Sequence, residues 1–204
     1  MDTTSGDSIL YNIPQANVLC LGDLILDTFQ QGHANRISPE SPVPILEIYE
    51  EINIPGGAAN VARNISSIGA NCTIVGVIGL DHAGVTLRKL IDADNRINPC
   101  LVTSDRVTTH KTRFTSAGQH LLRIDNEQTE SITPKEIEDI NRILEREIVM
   151  HDILVISDYA KGLLTPDLIN KAIHLCRKHS KSVIVDPKSK DFTIYRGATI
   201  ITPN

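Results

Sequence analysis

Apolar residues fall into two kinds of run that alternate along the chain. Val18–Leu21, Cys72–Ile78, Asp152–Ser157, Ser182–Asp186 and Ala198–Thr202 are short, mostly apolar stretches, and each predicts a buried strand. Between them the period changes. Ala58, Val61, Ala62, Ile65 and Ile68 repeat at helical spacing and predict a one-faced helix, opened by Gly56-Gly57 and closed by Gly69. His82–Ile91 predicts a second helix. Thr133-Pro134-Lys135-Glu136 is a capping box with proline at the first helical position, continued by Ile137, Ile140, Leu144 and Ile148. Thr165-Pro166 opens a fourth helix, with Leu168, Ile169, Ala172, Ile173 and Cys176 inward. Strands apolar on both faces, alternating with helices, predict a parallel sheet covered on both sides, a Rossmann-like three-layer α/β/α fold.

Two segments break this alternation. Leu24–Pro55 has no helical period, four prolines and one extended stretch, Val43–Tyr49. Arg106–Asp125 is extended and polar, with Thr108, Thr109, Thr112 and Thr115 and a turn at Gly118. Structureless loops of that length are unusual in a compact domain. Both predict β-structure projecting from the main sheet, as inserts at about 28–50 and 105–125 forming a small separate sheet. Residues 1–16 are polar and irregular and predict a loose N-terminal extension before a single domain over 17–204.

Composition narrows the partners. With 204 residues, 41% hydrophobic, the chain can bury one sizeable core. The net charge of −5, scattered Lys and Arg, 3% aromatics and no Trp argue against nucleic-acid binding. Cys20, Cys72, Cys100 and Cys176 are far apart, with no Cys-x-x-Cys pair, so they predict free thiols rather than a metal site. No run of 18 apolar residues marks a membrane span, and Met1–Gln15 is neither basic nor apolar enough for a signal peptide, so a cytoplasmic location is expected.

Candidate chemistry begins at Asp27, just past the carboxyl end of the first strand, where open α/β sheets bind ligands. A carboxylate there can accept hydrogen bonds from two adjacent sugar hydroxyls; a solvated turn or a helix cap would use the same residue. Gly56-Gly57-Ala58-Ala59-Asn60 offers open backbone N–H groups at a helix start, and Asn60 can both donate and accept. A glycine-rich turn with Asn60 on the exposed face is the plainer reading. Neither a dinucleotide Gly-x-Gly-x-x-Gly nor a Walker-type loop occurs.

Taken in order, Asp27, the double glycine with Asn60, and Ile74-Val75-Gly76-Val77-Ile78-Gly79 followed by Asp81 and Gly84 resemble the N-terminal signature of the ribokinase-like carbohydrate kinases. Within that family, Arg36-Ile37-Ser38-Pro39-Glu40-Ser41-Pro42-Val43-Pro44 resembles the lid segment of the D-glycero-β-D-manno-heptose 7-phosphate kinases. Ser157-Asp158-Tyr159-Ala160-Lys161-Gly162, Asp186-Pro187-Lys188, Tyr195-Arg196-Gly197-Ala198 and Thr202-Pro203-Asn204 extend the likeness over about 17–204.

The resemblance implies a ribokinase-like fold in which the two inserts form a β-sheet lid that commonly also joins a homodimer. It implies that Asp27 and Asn60 hold sugar hydroxyls, with Gly56 and Gly57 lining the pocket. Arg36, Lys111, Arg113 and Arg123 lie on or near the lid, where a sugar 7-phosphate would need charge-assisted donors; each could equally be a solvated surface charge. Asp158, Lys161 and Lys188 follow strand ends and would converge on the same rim. ATP and Mg2+ are implied as phosphoryl donor and cofactor, with Asn204 opening the segment that contacts the nucleotide, and the anomeric O1 of the heptose 7-phosphate as acceptor. The catalytic base of the family belongs to a Gly-x-Gly-Asp motif, and none occurs in these 204 residues. The resemblance therefore leaves the catalytic base unassigned and predicts an incomplete sheet with an open edge, poor stability and no turnover by this polypeptide. A non-catalytic sugar-phosphate-binding remnant, or one half of a split kinase, is the competing expectation.

Overall fold

A computed structural model describes residues 11–203, which run β1 (Asn17–Gly22), β2 (Leu24–Ile37), β3 (Pro44–Gly57), α1 (Ala58–Ser67), β4 (Asn71–Gly79), α2 (His82–Asp92), β5 (Ile97–Ser104), β6 (Thr109–Ser116), β7 (Gln119–Asn126), α3 (Pro134–Glu147), β8 (Ile153–Ser157), α4 (Pro166–Lys178), β9 (Ser182–Asp186) and β10 (Ile200–Ile201). The main sheet has six strands in the order β10-β9-β8-β1-β4-β5, all parallel. Alternate residues of each central strand face opposite layers. Leu19 and Leu21 pack with Ile140 and Leu144 of α3 and Leu168, Ile169 and Ile173 of α4. Cys20 faces the other way, against Ala58 and Ala62 of α1 and Leu87 and Ile91 of α2. Two apolar cores on one sheet make the three-layer α/β/α fold that the alternating pattern predicts. Each large apolar side chain so buried stabilises the fold by roughly 1.5–3 kcal/mol.

Local signals set the helix ends. Thr133 and Glu136 close the capping box, with the Thr133 hydroxyl accepting the Glu136 N–H and the Glu136 carboxylate accepting the Thr133 N–H. Asp81 caps α2 by accepting the Gly84 N–H at 2.8 Å, and Thr165 caps α4. Other expectations need correction. Ile68 is not on the buried face of α1; the helix stops at Ser67 and Ile68 is 62% exposed. Gly56 and Gly57 end β3, and Gly57 is at the same time the N-cap of α1, so the double glycine opens that helix as the sequence predicts. The strand β5 escapes the hydrophobic pattern because Asn98 and Pro99 interrupt it; it lies at the sheet edge, where proline's missing N–H is tolerated. β10 is shorter than the pattern suggests, two residues flanked by Thr199 and Thr202 N–H groups bonded to β9 carbonyls.

The second sheet has four strands, β3-β2-β6-β7, with β2 and β6 parallel and the outer pairs antiparallel. It is rooted in the core by Leu24 and Leu26 at the start of β2. Of the N-terminal segment, Ile13–Gln15 form a 3-10 turn, and residues 1–10 lie outside the described residues. All four cysteines are free, with Cys20, Cys72 and Cys176 buried and Cys100 partly so. Among the described residues no helix is long and apolar enough to cross a membrane.

Candidate functional site

The carboxyl ends of β1 and β8 turn toward the root of the small sheet, and between them lies a cleft of about 580 Å3. Asp27, Gly56, Gly57, Asn60, Lys111 and Arg113 all line it. Strand geometry explains the convergence. Leu24 and Leu26 point into the core, so Ile25, Asp27 and Phe29 point to the opposite face. The parallel register sets Asp27 beside Lys111 and Phe29 beside Arg113. Arg113 donates to the Asp27 carboxylate and stacks over the Phe29 ring, its guanidinium carbon 5.2 Å from the centroid. Across the antiparallel pair, Gly56 leaves room for that carboxylate: a Cβ there would lie 2.1 Å from Asp27 Oδ2. Asn60 is exposed in the first turn of α1.

A chain of ion pairs joins the small sheet to the core. Lys111 Nζ lies 2.8 Å from Asp125 and 3.0 Å from Glu127, and Glu127 also accepts from Lys161 Nζ at 2.9 Å. Partial burial opposes the Lys111 charge, but its two carboxylate partners outweigh that and hold its pKa above the ordinary lysine value. Hydrogen bonds from Lys161 and Lys111 hold Glu127 below its ordinary value. A group with a depressed folded pKa contributes its pairing above the unfolded value, about 4.3 for Glu, and loses it as pH falls through the folded value. Following the Glu127 side-chain carboxyl by NMR should therefore give a midpoint below 4.3 in the wild type, moving up toward it in Lys161→Met. A wild-type midpoint at or above 4.3 would contradict the pairing.

Two buried aspartates shape the rim loop after β8. Asp23 accepts the N–H groups of Tyr159 at 2.9 Å and Lys161 at 3.1 Å, and burial raises its pKa in spite of these bonds. Asp158 accepts the Tyr195 hydroxyl and, at 2.8 Å, the Ala160 N–H. Asp158 thus holds the loop and does not line the cleft, whereas Lys161 reaches the small sheet through Glu127. Arg36 is on an exposed stretch of β2, 2.8 Å from Glu47 and away from the cleft lining. Lys188 is exposed after β9 and is also outside that lining. Asn204 lies outside the described residues. Tyr159, named in the sequence only as part of the 157–162 motif, lines the cleft, as do Phe29 and His120, which were not singled out; the period of two from Asp27 points to Phe29, while only the strand register brings in His120. Arg123, one of the basic residues noted on the second insert, lines it as well.

A second depression, of about 490 Å3, lies between β5 and the start of α3. Its main polar groups are already engaged: Thr133 and Glu136 cap each other, and Arg106 donates to the carbonyls of Gln128 and Lys161. Among the described residues no three His, Cys, Asp or Glu side chains come together as a metal site.

The covered parallel sheet and the small sheet at its carboxyl edge have the fold of carbohydrate kinases of known structure. The phosphofructokinase-2 from Escherichia coli, in its tetrameric inhibited form, superposes with a TM-score of 0.71 at 20% identity, over 93% of this chain and 61% of that one. A carbohydrate kinase from Agrobacterium tumefaciens gives 0.68 at 18% identity, over 93% and 70%. Residues 15–204 match the pfkB family carbohydrate kinases, and the chain belongs to that family. Among curated relatives, the bifunctional protein HldE of Rhodopseudomonas palustris (strain BisB5) is 50% identical over 97% of this chain, and that of Caulobacter vibrioides is 42% identical over 97%. The chain spans 41% of the length of each of these relatives.

Proposed function

We propose that these residues form the acceptor side of a sugar-phosphate kinase site, and that the acceptor is D-glycero-β-D-manno-heptose 7-phosphate, phosphorylated by ATP on its anomeric O1 to the 1,7-bisphosphate in ADP-heptose and lipopolysaccharide core synthesis. The observation that carries the reading is the meeting of Asp27, Gly56 and Asn60 with the basic residues of the small sheet in one cleft. Asp27, oriented by Arg113, accepts hydrogen bonds from adjacent sugar hydroxyls; Asn60 donates and accepts beside it. Phe29 and Tyr159 present apolar faces to the sugar ring. The lid-like segment at 36–44 and the kinship with the HldE proteins favour a heptose phosphate over other sugars.

ATP with Mg2+ is the donor that the family implies, and a cytoplasmic location follows from its use. The residues that line the cleft bind and orient the acceptor. The small sheet acts as a lid over it, with 28–50 and 105–125 as its inserts. Leu122 and Ile124 on β7 and Ile48 and Tyr49 on β3 expose apolar surface that suits a second copy of the chain, forming a homodimer through the lids. Light scattering should give twice the chain mass, and a monomer at micromolar concentration would exclude that pairing. The acceptor assignment is tested by calorimetric titration of the chain with heptose 7-phosphate. Saturable binding that fructose 6-phosphate does not match supports it; no binding sinks it.

A further inference from the structure

We infer that Arg106 is a positioning residue for the acceptor cleft: from the connection between β5 and β6 it clamps the segment after β7 to the loop after β8, and so sets the small sheet against the core. The inference rests on the acceptor assignment above, but the side chain lies outside the cleft lining. One terminal nitrogen of Arg106 is 2.9 Å from the Gln128 carbonyl oxygen, 3.3 Å from that of Glu130 and 2.7 Å from that of Lys161. That nitrogen carries two N–H groups, so at least one of them is shared between two carbonyls. Among the described residues no backbone N–H donates to these three carbonyls. Segments far apart in the sequence therefore meet on one guanidinium, and charge-assisted bonds of this kind are about twice as strong as neutral ones.

The clamp is mounted on a fixed base. Thr108, two residues on, is buried, and its N–H and hydroxyl both donate to the Asp81 carboxylate, at 2.9 and 2.7 Å. The same hydroxyl accepts the Gly79 N–H at 2.8 Å, and Asp81 caps α2. A Cβ on Gly79 would lie 2.3 Å from the Arg106 carbonyl oxygen, so the end of β4 and this connection are in backbone contact. The opposite side of the clamp is also held. Asp23, at the end of β1, accepts the Lys161 N–H, while Arg106 donates to the Lys161 carbonyl. Lys161 is thus fixed on both sides of its Cα. Its ammonium meets the carboxylate of Glu127, the chain neighbour of the clamped Gln128, at 2.9 Å. The ion pair between the rim loop and the small sheet follows from the clamp, because its two side chains start from backbones that Arg106 holds together. Tyr159, on the same loop, and Lys111, the other partner of Glu127, line the cleft. Arg106 acts on the acceptor only through them.

The test compares Arg106→Met, Arg106→Lys and Arg142→Ala in the full chain, by calorimetric titration with heptose 7-phosphate and unphosphorylated heptose and by NMR titration of the Glu127 carboxyl. Arg106→Met keeps most of the stem volume and removes every donor. It should weaken both sugars alike, by about tenfold, because a displaced loop lowers the fraction of chains with a formed cleft whatever the ligand. The Glu127 midpoint should rise toward the ordinary glutamate value, part of the way only, since Lys111 stays bonded to it. A residue that merely stabilised the fold would leave that midpoint in place in every variant that folds. Arg106→Lys keeps the charge but cannot reach all three carbonyls, so both readouts should move the same way by less, with binding weakened about threefold. Arg142→Ala, on the exposed face of α3, should match the wild type. Binding by Arg106→Met within about twofold of the wild type, or an unmoved Glu127 midpoint, overturns the inference. If circular dichroism shows that Arg106→Met does not fold, Arg106→Lys decides: a raised Glu127 midpoint supports the clamp and an unmoved one overturns it. A wild type that binds neither sugar removes the acceptor assignment, and the Glu127 midpoint in the variants still decides whether Arg106 sets the small sheet.

Discussion

Asp27→Ala should weaken binding of heptose 7-phosphate about 100-fold while changing the unfolding free energy by no more than about 1 kcal/mol. The carboxylate offers one oxygen to Arg113 and leaves the rest of its acceptor capacity to the cleft. Hydrogen bonds from two sugar hydroxyls to a charged acceptor contribute roughly 1.5–3 kcal/mol each, and each 1.4 kcal/mol is tenfold in affinity. Removing the side chain also frees Arg113, whose charge then has no counterpart at that end of the site. Asp27→Asn should show an intermediate loss of about tenfold, because the amide keeps one acceptor but turns an N–H toward Arg113 or the sugar. Gly56→Ala should resemble Asp27→Ala in binding, since its Cβ would occupy the place of Asp27 Oδ2. A role for Asp27 as an ordinary turn residue makes the opposite forecast: less than threefold loss in calorimetry for all three variants.

Gly57→Ala should instead act on the fold, lowering the unfolding free energy by about 3–5 kcal/mol in urea denaturation. Gly57 has φ of +58° and ψ of −136°, a backbone conformation open essentially to glycine alone. A Cβ there would also lie 2.3 Å from the Asp23 carbonyl oxygen, a backbone atom with little freedom to retreat. That same carbonyl accepts the Ala58 N–H at 2.9 Å, tying the first turn of α1 to the end of β1. The substitution therefore strains the backbone and disturbs the junction between the small sheet and the core. Since a domain of this size is stable by only about 5–15 kcal/mol, the loss should be visible as a clear fall in the urea midpoint. A change below about 1 kcal/mol would show that the turn can relax into another path.

The sequence by itself determined the frame. Short apolar runs place most of the main-sheet strands, and helical spacing and capping signals place most of the helices, because burial on two faces or on one leaves a direct trace in residue order. The Thr133–Glu136 capping box was legible for the same reason: its partners are three residues apart. Asp27 was legible as a candidate by its position after a strand, Gly56, Gly57 and Asn60 by the glycine-rich helix start, and Lys111 and Arg113 through the family resemblance, and one cleft gathers them. β5 was not, since an edge strand tolerates Asn98 and Pro99 and loses its apolar signature.

What the tertiary structure decided is which polar groups meet. Asp158 looked like a rim residue, yet Tyr195, 37 positions later in the chain, turns it inward as a bracket for the loop. Arg36 and Lys188 carry the same kind of charge as Arg113 but lie away from the cleft lining. His120 reaches the cleft, and Lys111 is taken up by Asp125 and Glu127, through strand pairings and ion pairs that no spacing in the sequence encodes. Burial is a property of each segment and is written locally; the pairing of charges depends on register between distant segments, and only the folded chain sets it.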